Sequence, residues 1–184
     1  ILGGYSTSGI SGDKTEPLLG VVDYWIVKLN VSGEIEWQNT IGGDDEEFLY
    51  SMCQTNDGGY ILGGYSLSGI SGDKGEASLG GYDYWVVKLN NLGLIEWQNT
   101  IGGNASDYLT TIQQTNDNGF ILGGYSTSGV SGDKAEPSLG IEDFWIVKLN
   151  NLGSIEWENT IGGSSSEILQ FNTIYQTTDG GFIL

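Results

Sequence analysis

The 184 residues carry 24 acids against 6 lysines, with no arginine or histidine, for a formal charge of −18. Such a surface repels nucleic acid and anionic lipid, and the missing His and Arg exclude a Ser-His-Asp triad, histidine metal ligands and a bidentate phosphate clamp. Glycine reaches 31 residues with only 2 prolines and no three-residue period, which excludes collagen; with 6 Trp and 10 Tyr, it points to short strands joined by tight turns.

The chain opens on Ile1-Leu-Gly-Gly-Tyr-Ser6, and the same six residues return at 61–66 and 121–126. The spacing is 60 residues both times, so the units are 1–60, 61–120 and 121–182, with 183–184 opening a further one. The third unit holds two extra residues near Gln170-Phe171. Both chain ends fall inside the same predicted strand, which is the expectation for a window of a longer array.

Further along the first unit, Trp25, Val27 and Leu29 share one face of a predicted strand, with Tyr24 and Ile26 on the other. Apolar residues on both faces require cover on both sides, which sheets stacked around an axis provide. In the next strand Ile35, Trp37 and Ile41 point one way and Glu34, Glu36, Gln38 and Thr40 the other, as befits a half-exposed outer strand.

The stretch 107–163 shows a whole unit. Asp107–Thr115 is a strand, Asn116-Asp117-Asn118-Gly119 a tight turn, and Phe120–Ser126 a second strand. A long polar loop, Thr127–Glu142, leads to strand three, Asp143–Asn150. Asn151-Leu152-Gly153 turns the chain into strand four, Ser154–Ile161. Four hairpin-linked strands with no helical period give an all-β fold of four-stranded antiparallel propeller blades, three tandem repeats forming an open arc or part of a larger propeller.

In such a unit the loops after strands two and four emerge on one side, and that side collects most of the 24 acids. Ser-Gly-Asp-Lys-x-Glu followed by a later Asp recurs in each unit. It offers a candidate Ca²⁺ set: Asp13, Glu16 and Asp23; Asp73, Glu76 and Asp83; Asp133, Glu136 and Asp143. The spacing is not that of an EF-hand, and the competing reading is a solvated turn in which Asp13 caps backbone N–H groups and Lys14 pairs with an acid. The six Trp read as packing between blades, Tyr5, Tyr65 and Tyr125 as packing with a polar partner for each hydroxyl, and Cys53 as a lone incidental thiol.

Asp57-Gly-Gly-Tyr-Ile-Leu-Gly-Gly-Tyr-Ser66, Ser-Gly-Asp-Lys, Asp83-Tyr-Trp-Val-Val-Lys-Leu-Asn90 and Ile95-Glu-Trp-Gln-Asn-Thr-Ile-Gly-Gly103 together resemble a repeat found in tandem in large secreted proteins of Bacteroidetes-type bacteria. Those proteins often end in a type IX secretion sorting domain. The double Gly followed by Tyr, with Trp further on, also resembles kelch repeats, whose units are nearer 50 residues. The resemblance implies a propeller, export, and a cell-surface or extracellular role. From it and the composition follows the expectation of a non-catalytic structural or binding module for adhesion or glycan contact. Its partners would be other blades of the same protein or assembly and a surface glycan or protein, with no nucleic acid and no membrane insertion. The alternative is part of a propeller enzyme acting on extracellular polysaccharide, with active residues outside this stretch.

Overall fold

Asn and Gly at the corners let the chain reverse tightly, and the alternating apolar residues between them form the strands. The computed structural model describes residues 1–170 and 173–184, and contains no helix among them. Part of the third unit's two-residue insertion near Gln170-Phe171 therefore lies outside the described residues.

The first sheet holds β1 (Leu2–Ser6), β2 (Asp23–Leu29) and β3 (Ile35–Ile41) in that order. The second holds β4 (Glu47–Gln54), β5 (Tyr60–Ser66), β6 (Asp83–Leu89) and β7 (Ile95–Ile101). The third holds β8 (Asp107–Gln114), β9 (Phe120–Ser126), β10 (Asp143–Leu149) and β11 (Ile155–Ile161). A last pair, β12 (Tyr175–Gln176) and β13 (Phe182–Ile183), follows. All neighbours are antiparallel, and the sheets form an open arc of propeller blades. Each four-stranded sheet takes its first strand from the end of one 60-residue unit and its other three from the next.

The corners explain themselves. Between strands one and two, Gly58, Asn118 and Gly180 take φ of 85°, 64° and 89°, a left-handed conformation that Gly and Asn adopt at low cost. Asp57 and Asp117 brace these turns by accepting from Thr55 and Thr115 and from the N–H of Gly59 and Gly119.

Strand three is the centre of each blade. All seven residues of β6 are buried, whereas β7 is exposed at its start and buried only at its end. Alternation sends Trp85, Val87 and Leu89 toward the first sheet, where they join Tyr24, Ile26, Leu49 and Leu62. Tyr84 and Val86 turn the other way, to Leu109, Ile112, Trp145 and Val147 of the third sheet. Each such side chain contributes about 1.5–3 kcal/mol on burial, so the two interfaces dominate the stability of the arc. Both interfaces repeat the same polar contacts: Tyr24 Oη donates to the Trp85 carbonyl at 3.1 Å, and Tyr84 Oη to the Trp145 carbonyl at 2.9 Å.

The blades are arranged radially. The first strand of each sheet approaches its neighbours: β4 lies against β1 and β2, and β8 against β4, β5 and β6. Strands β4 and β8 are therefore the inner strands, and β3, β7 and β11 the outer ones.

Candidate functional site

The Ser-Gly-Asp-Lys-x-Glu loops fold around their own lysine. Lys14, Lys74 and Lys134 are 3%, 1% and 1% exposed. Lys14 Nζ donates to the Glu16 carbonyl at 2.7 Å and to Thr40 Oγ1 at 2.6 Å. Lys74 does the same with Glu76 and Thr100 at 2.7 and 2.8 Å, and Lys134 with Glu136 and Thr160. Burial lowers all three ammonium pKa values, and carboxylates nearby, Asp23 and Glu16 in the first case, oppose that shift.

The nine acids proposed as Ca²⁺ ligands are placed as follows. Glu16, Glu76 and Glu136 accept from the backbone N–H of Thr40, Thr100 and Thr160 on the outer strand. Asp23 accepts from Leu19 and Gly20; Asp83 from Ser78 and Leu79; Asp143 from Ser138 and Leu139. Asp73 and Asp133 leave their own loops and accept from the N–H of Gly42 and Gly102 on the preceding sheet. Asp13 is exposed, its carbonyl accepting from Gln38 Nε2 at 2.7 Å. In the second and third motifs one acid thus crosses to the preceding sheet while the other two bond within their own. Among the described residues, no three acid or cysteine side chains converge in a group able to hold a metal ion.

A second set of acids, not picked out from the sequence as a structural pair, lies at the foot of each inner strand. Glu47 accepts from Ser66 Oγ at 2.7 Å, Ser68 Oγ at 2.6 Å and the Gly43 N–H at 2.7 Å. Asp107 repeats this with Ser126, Ser128 and Gly103. Burial raises the carboxyl pKa of both, that of Asp107 to about 6, although these bonds favour the charged form. Asp83 adds its field to Asp107, and its own Oδ1 is buried without a hydrogen-bond partner among the described residues. That oxygen explains Gly102: a Cβ there would sit 1.9 Å from it. Of the acids on the loop-rich side, Asp23, Glu47, Asp83, Asp107 and Asp143 are 0% exposed.

The loop-rich side of the inner strands also carries a row of partly exposed aromatic rings. Ring centroids run Tyr5–Phe48 4.9 Å, Phe48–Tyr65 5.4 Å, Tyr65–Tyr108 5.0 Å and Tyr108–Tyr125 4.9 Å, a continuous row crossing three sheets. Register creates it, since Phe48 pairs with Tyr65 and Tyr108 with Tyr125. A bulge between Leu49 and Ser51 takes Tyr50 out of the ladder and lays it on Tyr65 at 5.1 Å, with the hydroxyls 2.9 Å apart. Tyr82 closes the row against Tyr65 and Tyr108 and donates to the Glu46 carboxylate; burial and that bond push its hydroxyl pKa well up. Where the row ends, Tyr50, Tyr65, Thr110, Tyr125 and Gln170 line a small cavity of about 100 Å³.

The sequence marked Tyr65 and Tyr125 as packed. It missed Phe48, Tyr50, Tyr82 and Tyr108 because their meeting depends on the bulge and on contact between inner strands of different sheets.

No protein-family model matches the chain, and no curated protein matches it as a relative.

Proposed function

We propose that the chain is a non-catalytic structural and binding module of a secreted or surface-exposed bacterial protein, and that its aromatic row contacts a surface glycan. The observation that carries this reading is the row itself: half-buried tyrosine rings, with Asp45 and Glu46 beside Tyr82. Tyrosine offers an apolar face to stack on a sugar ring and a hydroxyl to bond its rim, and the carboxylates accept from sugar hydroxyls. The buried carboxylates speak for scaffold rather than catalysis. Glu47 and Asp107 have their acceptor sites filled by serines and backbone, and a substrate has no access to them.

The test is retention on a glycan panel combined with an assay for released sugar. The reading expects retention without product, and about tenfold weaker binding for Tyr65→Ala, equivalent to about 1.4 kcal/mol. Product release favours the polysaccharide-processing alternative, and unchanged retention by the variant removes the row from the contact. Export is tested separately, by locating the protein in cell fractions of the producing bacterium.

A further inference from the structure

The second sheet carries a part of the aromatic row that the repeat itself does not require. Just before strand three each unit makes the same backbone bond: the carbonyls of Val22, Tyr82 and Glu142 accept from the N–H of Glu47, Asp107 and Glu167 at 2.7, 2.6 and 2.7 Å. One scaffold thus accepts an aliphatic, a phenol or a carboxylate at this position. The residues that meet Tyr82 vary as freely. Glu46 corresponds to Ser106 and Ser166, Asp45 to Ala105 and Ser165, and Tyr50 to Thr110 and Gln170. Tyr65, by contrast, is Tyr in every unit.

These unit-specific side chains gather around Tyr65. Tyr82 and Tyr50 lie 5.2 and 5.1 Å from its ring, and Tyr82 donates to the Glu46 carboxylate. Both partners of that bond are held by their own backbones, Tyr82 through Asp107 as above and Glu46 through a carbonyl that accepts from the Leu67 N–H at 2.9 Å. The carboxylate is therefore fixed beside half-buried rings before any ligand arrives, which lowers the cost of binding one.

The charge at this place is one-sided. The ion pairs among the described residues are made by Lys28, Lys88 and Lys148 on the turn side, and Lys14, Lys74 and Lys134 are enclosed by their own loops. Asp45 and Glu46 both act on the Tyr82 hydroxyl, and no lysine is paired with either. A uronate or sulfated sugar would be repelled. A neutral sugar would use the ring faces and offer the carboxylate only hydroxyls. A protonated amine uses both, through a charge-assisted bond to carboxylate and attraction to the tyrosine faces.

We infer that the glycan contacted by the row is one bearing free amino sugars, with Glu46 receiving the sugar ammonium beside Tyr65 and Tyr82. This rests on the glycan-contact reading above and adds the chemical class of the sugar and the residue that selects it.

The experiment is calorimetric titration of the whole chain with four hexamers of one β-1,4 linkage: glucosamine, N-acetylglucosamine, glucose and glucuronate. It is run at about pH 6, below the usual range of such an amine, and at about 0.15 M salt, which screens attraction beyond about 8 Å. The variants are Glu46→Gln, which still accepts from Tyr82, and Tyr82→Val, the side chain that the first unit carries at 5% exposure. Glu34→Gln makes the same charge change at an exposed residue of the turn side. The expected result is glucosamine hexamer bound at least tenfold more tightly than the neutral hexamers, with no glucuronate binding. That preference is expected to vanish in Glu46→Gln and Tyr82→Val and to persist in Glu34→Gln. Neutral hexamers bound as tightly as glucosamine, through Tyr65, overturn the amine inference and leave the glycan reading standing. A preference that Glu46→Gln keeps, or that Glu34→Gln loses equally, shows attraction to the acidic chain at large and also overturns it. If no hexamer binds, both readings fall.

Discussion

Lys74 and Lys88 belong to the same blade and are almost equally buried, at 1% and 4% exposed, yet only Lys88 is bonded directly to carboxylates. Lys74, on the loop side, donates to a backbone carbonyl and a threonine hydroxyl, and feels carboxylates only at a distance. Lys88, on the turn side, donates to the Leu89 carbonyl at 3.0 Å but also bonds two carboxylates, Asp57 at 3.0 Å and Glu96 at 2.8 Å. The third blade repeats both arrangements, Lys148 taking Asp117 and Glu156 at 3.0 Å each. The difference lies in what surrounds the partners. Asp57 and Glu96 are 59% and 44% exposed and remain hydrated, so the turn pair is a surface clamp on a buried stem. The loop lysine is instead an internal cation around which a long loop is organised.

Removing the ammonium from each site should separate the two most sharply. Lys74→Met strips donors from the Glu76 carbonyl and Thr100 and leaves Asp83, Glu76 and Glu47 without their nearest positive charge. A loss of about 3 kcal/mol is expected in urea unfolding. Lys88→Met leaves carboxylates that water can serve, and a loss of about 1 kcal/mol is expected. Equal losses would erase the distinction between the two sites.

Titration sharpens the same contrast, because Asp107 on the loop side shifts in the opposite direction from Asp57 and Asp117 on the turn side. The folded Asp107 carboxyl titrates at about 6, above its unfolded value, so its contribution is present in acid and lost as pH climbs through 6. Asp57 and Asp117 are lowered to about 2, first by the hydrogen bond from Thr55 or Thr115. Their contribution is present near neutrality and lost as pH falls through 2. Asp107→Asn, which removes the titrating group at the cost of one of its two acceptor oxygens, should flatten the wild type's decline between about pH 4 and 7, a difference on the order of 2 kcal/mol. Unfolding midpoints across that range read it directly, and a variant with an unchanged slope would contradict the assignment.

The smallest effect expected is none. Loops already filled by Lys14, Lys74 and Lys134 predict the same melting temperature in Ca²⁺ and in chelator at fixed ionic strength. A rise in Ca²⁺ that Asp13→Asn, Asp73→Asn and Asp133→Asn abolish would show that the acids take a divalent ion despite the lysines.

Much of the architecture was legible because the repeat reports each element three times. The strands at 107–161 fall within a residue or two of the stretches read from Asn-Gly corners and alternation. The two-sided apolar pattern of strand three is met in β6, where Trp85 and Tyr84 are covered from opposite sides, whereas the Trp25 face of the first sheet is open. The site chemistry was less legible for a physical reason. Ser-Gly-Asp-Lys reads as a solvated or metal-binding loop because sequence does not show that Thr40 lies beside Lys14, or that Asp73 reaches back to Gly42. Nor does alternation mark Tyr50, which a bulge displaces, or show that Tyr65 meets Tyr108 from another sheet. Contacts within a hairpin were readable, and between sheets the stacking of strand three was readable but its particular side-chain partners were not.

The central claim is that the sheets stack in one fixed register through the strand-three tryptophans. Fluorine NMR of the 5-fluorotryptophan protein with a soluble paramagnetic agent tests it most directly, with each signal assigned by a Trp→Phe change. The account predicts that Trp85 and Trp145 are protected, while Trp25 and Trp157 are strongly broadened. Equal broadening of Trp25, Trp85 and Trp145 would contradict it.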